Sequence, residues 1–190
     1  MGVLSLPLYP SSTCAAAVSL LKSLGPWTPA EIREEVGAGR YAAVVRDEAR
    51  AANILAAGLG DEIRAEFEAR VERFVQPLIE EFWELELRRQ TPVEVVRYQE
   101  GGHYRSHSDA ALDVADRYFS VVCYLNDGFA GGRTVFPALR YASAPEPGKA
   151  IVFPSTYVHY AEPVIGGEKF ILASWVLGPP PRRWLKRPPG

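Results

Sequence analysis

The chain has 190 residues, a length that fits one domain. Hydrophobic residues make up 47% and charged residues 23%, which suits a packed core and excludes a disordered chain. The 21 Lys and Arg against 23 Asp and Glu leave a net charge of −2, which argues against a protein held mainly by nucleic-acid phosphates, and no apolar run approaches the roughly 20 residues that cross a bilayer.

Residues 1–10 lack the basic start and long apolar stretch of a signal peptide, so a cytoplasmic protein is expected. Ser11, Ser12 and Thr13 form a capping cluster ahead of a helix over 14–24, stopped by Gly25-Pro26. Residues 29–39 read as irregular, and 44–57 could hold a short strand and a turn of helix. The clearest helix is 61–88, where Ile63, Phe67, Val71, Phe74, Val75, Leu78, Ile79 and Phe82 recur at three- and four-residue steps, with a kink expected at Pro77. Cys14 and Cys123 are too few for a disulfide framework and read as buried thiols.

After Pro92 the pattern changes. Strands are predicted over 93–98, 118–125, 149–153, 157–164 and 169–177, punctuated by Gly101-Gly102, Gly131-Gly132, Pro147-Gly148 and Gly166-Gly167. Short strands spaced in this way suggest a sandwich or barrel rather than a parallel βαβ sheet. Residues 178–190 form a proline-rich basic tail, read as an extended arm.

The chemistry-bearing residues cluster in this second half. His107 and Asp109 stand two apart, and on an extended segment such residues point the same way. With His159 they make two imidazoles and one carboxylate, the ligand set of non-haem Fe(II) oxygenases, which leaves open positions on the metal. Lys169 opens an otherwise apolar strand. It is either a solvated strand end or a buried anion clamp, and a buried cation needs a partner. Tyr98 could offer a hydroxyl to the same anion.

Val95-Val96-Arg97-Tyr98, Gly101-Gly102-His103-Tyr104, His107-Ser108-Asp109, Arg117, Tyr124-Leu125-Asn126, Gly131-Gly132-Arg133-Thr134, Phe153-Pro154, His159, Lys169 and Trp175 occur in that order. Together they resemble the 2-oxoglutarate- and Fe(II)-dependent oxygenases of the prolyl 4-hydroxylase-like group, over residues 93–177. The resemblance implies an α+β, mainly β fold: a double-stranded β-helix (jelly-roll) core over 93–177, mostly helical support over 1–92, and the tail, all in one domain. It implies that His107, Asp109 and His159 bind Fe(II), and that Lys169 binds the distal carboxylate of 2-oxoglutarate with Tyr98 and Thr134 as helpers. Tyr104, Arg117 and Trp175 would line the substrate side. O₂ is the co-reactant, and L-ascorbate is associated with the group. Where relatives read Gly-Gly-Glu-Thr, this chain has Arg133, a cation in place of an acid. In halogenating relatives the carboxylate position holds a small residue; Asp109 fills it, so oxygen transfer is expected. His103 reads as a loop residue.

The implied reaction is hydroxylation of an unactivated C–H bond coupled to decarboxylation of 2-oxoglutarate to succinate. The expected substrate is a proline or other amino-acid unit, free or peptide-linked; the alternative is another small metabolite. Neither nucleic acid nor membrane is expected as a partner. A non-catalytic jelly roll would have lost a ligand, and a cupin-type enzyme would need no dicarboxylate clamp.

Overall fold

The computed structural model describes residues 2–110 and 114–178. The expected basic arm falls almost wholly outside them.

The chain begins with β1 (Leu4–Pro7) and α1 (Ser11–Ser23), then runs through β2 (Trp27–Pro29), β3 (Glu31–Gly37), β4 (Arg40–Val45) and β5 (Asn53–Leu55). A helical rod follows: α2 (Asp61–Arg70), a π-helical turn over Val71–Val75, and α3 (Gln76–Trp83). The remaining strands are β6 (Arg89–Gln90), β7 (Glu94–Tyr98), β8 (Tyr104–His107), β9 (Arg117–Tyr124), β10 (Ala130–Gly131), β11 (Thr134–Phe136), β12 (Tyr141–Ser143), β13 (Lys149–Pro154), β14 (His159–Ala161), β15 (Val164–Ile165) and β16 (Lys169–Leu177).

Two antiparallel sheets organise them. The large sheet has the order β1-β13-β9-β16-β7-β5-β2, with β6 against β16; the small sheet has the order β12-β11-β14-β8. Strand β16 shows why both layers form. Phe170, Leu172 and Val176 join the cluster that also holds Cys14, Val18 and Leu21 of α1 and Phe67, Val71, Val75 and Ile79 of the rod. Ile171 belongs to a second cluster with Tyr98, Tyr124 and Phe153, closed by Phe136 of the small sheet. Side chains alternate across a strand, so a sheet covered on both faces has near-continuous apolar strands. The five strands expected after Pro92 are present with small changes of bounds, and the expected stretch 157–164 divides into β14 and the first residue of β15.

Three expectations for the first half are corrected. Residues 1–92 are not mostly helical, since β1 to β6 lie there and β1, β2, β5 and β6 extend the large sheet. Residues 29–39 are not irregular. Most of them form the β3–β4 hairpin, whose turn takes Gly37, Ala38 and Gly39 through positive φ. The charged strand Glu31–Gly37 gives no strong apolar alternation, which hid it. The helix expected over 61–88 ends at Trp83, where Glu84 turns left-handed.

Within the rod, only part of the expected apolar face is buried. Phe67, Val71, Val75 and Ile79 are, whereas Phe74 and Phe82 are 43% and 59% exposed. A strict four-residue repeat drifts about 40° per step on an α-helix of 3.6 residues per turn; the wider π turn takes up that drift and keeps the four buried residues aligned. The turn stands directly before Pro77, which lacks an N–H for the helical ladder. Helix α1 starts at Ser11 with Pro10 before it, and no side chain caps it.

Cys14 and Cys123 are buried and unpaired. Among the described residues no helix is long and apolar enough to cross a membrane.

Gly148 pins the N-terminal strand to the core. Its carbonyl accepts from the backbone N–H groups of Leu8 (2.7 Å) and Tyr9 (3.2 Å), and its φ is +84°. A Cβ there would overlap the Tyr9 carbonyl. Gly148→Ala is expected to destabilise the protein by about 3 kcal/mol, combining a strained φ with a backbone clash. Urea unfolding at constant m-value checks it; a change below about 1 kcal/mol would show that this approach is unimportant.

Candidate metal centre

Strand pairing brings the three candidate ligands together. In the β8–β14 ladder His107 lies directly opposite His159, so a separation of 52 residues closes to a ring-centroid distance of 4.3 Å. Asp109 follows β8 in a bend held to the end of β13, because the N–H groups of Asp109 and Ala110 both donate to the Ser155 carbonyl, at 2.9 and 3.0 Å. One ligand atom from each residue then lies within 4.8 Å of the others.

Hydrogen bonds set the tautomers. His107 Nδ1 is 2.7 Å from the Arg105 carbonyl, and His159 Nδ1 is 3.0 Å from the Tyr157 carbonyl. A carbonyl only accepts, so each Nδ1 carries a hydrogen, and the tautomer this selects turns Nε2 inward as the ligand atom. Those Nε2 atoms face the Asp109 oxygens at 3.4 and 3.7 Å. Two lone-pair nitrogens facing a carboxylate, each ring fixed by an outer carbonyl, fit a divalent cation between them.

The electrostatics agree. Burial opposes ionisation of Asp109, but the His107 and His159 rings in their protonated form and a 2.6 Å hydrogen bond from Ser120 Oγ outweigh it and hold the carboxyl well below its usual range; a bound cation would take the place of those ring protons. Burial lowers the His159 pKa, partly offset by Asp109, so the neutral imidazole is favoured. Tyr104 stacks on His107 with centroids 3.5 Å apart, and Phe153 packs edge-on to His159 at 4.7 Å.

Behind the three ligands a chamber of about 50 Å³ is lined by Tyr98, Thr134, Lys169 and Trp175, among others. Lys169 is 1% exposed, so the solvated strand end is ruled out. Its Nζ donates to the Gly132 carbonyl at 2.9 Å and lies 4.2 Å from the centre of the Tyr98 ring. Burial lowers its pKa to about 7, with a small opposing contribution from Glu162. Tyr124 donates its hydroxyl to Thr134 Oγ1 at 2.7 Å, which leaves the Thr134 O–H free to donate elsewhere.

In front of the ligands opens a cleft of about 830 Å³, lined by Tyr104, Arg117 and Trp175 and by residues of β3 and β4. The Arg117 guanidinium lies 3.9 Å over the Trp175 ring. All nine residues singled out in the sequence therefore line the chamber or the cleft. Arg133 lies on the surface and forms a two-pronged ion pair with Glu162, at 2.7 and 2.6 Å. His103 is half-buried in the turn after β7, and its ring contacts the Gly101 carbonyl.

Sequence reasoning missed four contributors. Ser120 and Ser155 are buried, are hydrogen-bonded to each other at 3.0 Å, and hold Asp109 through side chain and backbone respectively. A serine inside the apolar run of β9 was the available signal. Arg50 and Glu94 form a largely buried ion pair beside the chamber, and nothing local marks either residue.

Comparison with known proteins agrees with this geometry. Residues 93–177 match the 2OG-Fe(II) oxygenase superfamily. A human transmembrane prolyl 4-hydroxylase is 36% identical over 66 residues, 24% of this chain and 13% of that protein. The chain spans less than half the length of the curated relatives it matches. Two solved structures share the fold. A Pseudomonas putida prolyl-4-hydroxylase has a TM-score of 0.70 at 21% identity, covering 94% of this chain and 93% of its own. A Trichoplax adhaerens prolyl hydroxylase, in complex with a hypoxia inducible factor oxygen degradation domain peptide fragment, has a TM-score of 0.72 at 16% identity, covering 93% and 84%. The sheet pairing is thus that of a double-stranded β-helix core. Residues 93–177 are similar to the 2OG-Fe(II) oxygenase superfamily, whose cofactors are Fe(II), 2-oxoglutarate and O₂, and the donor set of His107, Asp109 and His159 fits that metal.

Proposed function

We propose that this protein is a 2-oxoglutarate-dependent hydroxylase of a proline or other amino-acid unit, free or peptide-linked. The balanced reaction is R–H + O₂ + 2-oxoglutarate → R–OH + succinate + CO₂. The observation that carries the reading is the pair of inward Nε2 atoms and the Asp109 carboxylate at the mouth of a chamber holding a buried lysine.

His107, Asp109 and His159 would hold the iron. When bound, Fe(II) with 2-oxoglutarate supplies the activation of O₂, chemistry that protein side chains lack. The rest of the work is binding and orientation. Lys169 offers its ammonium to the distal carboxylate of 2-oxoglutarate, and the Thr134 and Tyr98 hydroxyls hydrogen-bond the same group. Tyr104 braces the His107 ring. Tyr104, Trp175 and Arg117 shape the side from which substrate enters, and the aromatic walls exclude water. Asp109 occupies the position that a halide would need, which favours oxygen transfer. Residues 1–190 act as a single oxygenase domain in this reading. The two unpaired buried thiols suit a reducing, cytoplasmic setting.

Anaerobic titration with Fe(II) and then 2-oxoglutarate tests the reading. A weak visible charge-transfer band is expected, together with succinate and a +16 mass shift once O₂ and an amino-acid or prolyl substrate are added. Well-folded protein that gives no band would overturn it.

A further inference from the structure

The ion pair beside the chamber has one oxygen to spare. Arg50 Nη1 donates to the Glu31 carbonyl at 3.0 Å and Nη2 to Glu94 Oε2 at 3.1 Å, and its guanidinium lies 4.8 Å over the Tyr104 ring. Its remaining Nε is buried without a partner. Glu94 Oε1 makes no hydrogen bond among the described residues. The two side chains differ in exposure, 10% for Arg50 and 28% for Glu94, so what the pair presents to the opening is the carboxylate. Glu94 lines both the chamber and the outer cleft, as do His107, Asp109 and Trp175. Register explains this placement: Glu94 pairs with Ala173, two residues from Trp175 on β16 and so on the same face of the sheet.

A purely structural account covers one oxygen only. A buried guanidinium requires an acid, and Oε2 meets that need. Oε1 is an anionic acceptor at the edge of the reaction space, and it discriminates between forms of one amino acid. The nitrogen of an internal prolyl residue is a tertiary amide, with neither hydrogen nor charge. The nitrogen of free proline, or of a proline that begins a peptide, is a secondary ammonium with two hydrogens, and that of any other free or N-terminal amino acid is a primary ammonium with three. A charge-assisted hydrogen bond to Glu94 is open to the second kind alone.

We propose that Glu94, oriented by Arg50, is a specificity residue that accepts the unblocked ammonium of the substrate, so that the unit oxidised is a free amino acid or an N-terminal residue rather than an internal one. This rests on the hydroxylase reading above and narrows its substrate class. Arg50 acts through Glu94 and is a positioning residue.

The test uses the full chain with Fe(II), 2-oxoglutarate and O₂. Three matched sets are compared by succinate release and +16 mass shift: free amino acids including L-proline, dipeptides that begin with each of them, and their N-acetyl amides. Unblocked forms are expected to exceed their N-acetyl amides in kcat/KM by about 10- to 100-fold, the range of a charge-assisted hydrogen bond. The first two sets separate a free amino acid from an N-terminal residue. Glu94→Gln keeps an oxygen for Arg50 and loses the charge. It is expected to raise KM for the unblocked substrate about 10-fold or more, with little change in kcat, and to leave the anaerobic 2-oxoglutarate band in place. Equal turnover of blocked and unblocked forms, no turnover of any unblocked form, or an unchanged KM in Glu94→Gln would overturn the inference. A missing band in the wild-type protein would instead overturn the hydroxylase reading itself.

Discussion

His159→Ala is expected to abolish succinate formation, lowering turnover by at least about 10³-fold, or about 4 kcal/mol in the barrier. The reason is geometric. His159 faces His107 across the β8–β14 ladder, and its bare Nε2 is one of only three ligand atoms that meet there. Two ligands cannot hold a divalent ion facially, and no other histidine, cysteine or acid among the described residues joins the group. His159 is 6% exposed and packs against Phe153, so alanine also leaves a small cavity. Asp109→Asn avoids the cavity and removes the charge that balances the metal, and is expected to be comparably inactive. Circular dichroism reports folding, and the anaerobic band reports metal and cosubstrate. Turnover retained in either folded variant would refute the ligand assignment.

The second large effect separates function from stability. Lys169→Met is expected to raise KM for 2-oxoglutarate by about 100-fold or more, because a desolvated cation opposite a dianion is lost. The same change is expected to raise the thermal midpoint of the protein without ligands. Lys169 costs folding energy where it stands, since it is buried and, among the described residues, its Nζ is hydrogen-bonded to a carbonyl and faces a ring rather than contacting a carboxylate. A structural lysine would give the opposite sign, destabilisation with unchanged KM. The pH dependence follows from the lowered pKa of about 7, set by burial. Below about pH 7 the unliganded protein is expected to carry the ammonium and to bind the dianion most tightly. Above it the neutral amine dominates, and affinity falls by up to about tenfold per pH unit. In Lys169→Met that slope should vanish. A flat profile in the wild-type protein would show that another group binds the anion.

The legible and the hidden parts of this molecule divide by range. Strand β16 was readable because a sheet covered on both faces needs an almost unbroken apolar run, and the residues 170–177 supply one. The β3–β4 hairpin was not readable, because its strands carry charge and its turn depends on backbone angles. The rod's exposed face was misjudged because a period of four is apolar on paper yet drifts on a real helix, until a π turn resets it.

The candidate site divides in the same way. The donor set of two imidazoles and an acid, with one lysine out of place in a strand, was determined by the sequence alone, since ligand chemistry resides in side-chain type. Tertiary structure decided which atoms meet. The β8–β14 register set His159 against His107, burial turned Lys169 into a weakly basic amine, and folding placed Ser120 on Asp109 and Arg50 on Glu94. Those pairings span 11 to 52 residues. They arise from competition among all apolar surfaces for one core, which no local pattern encodes.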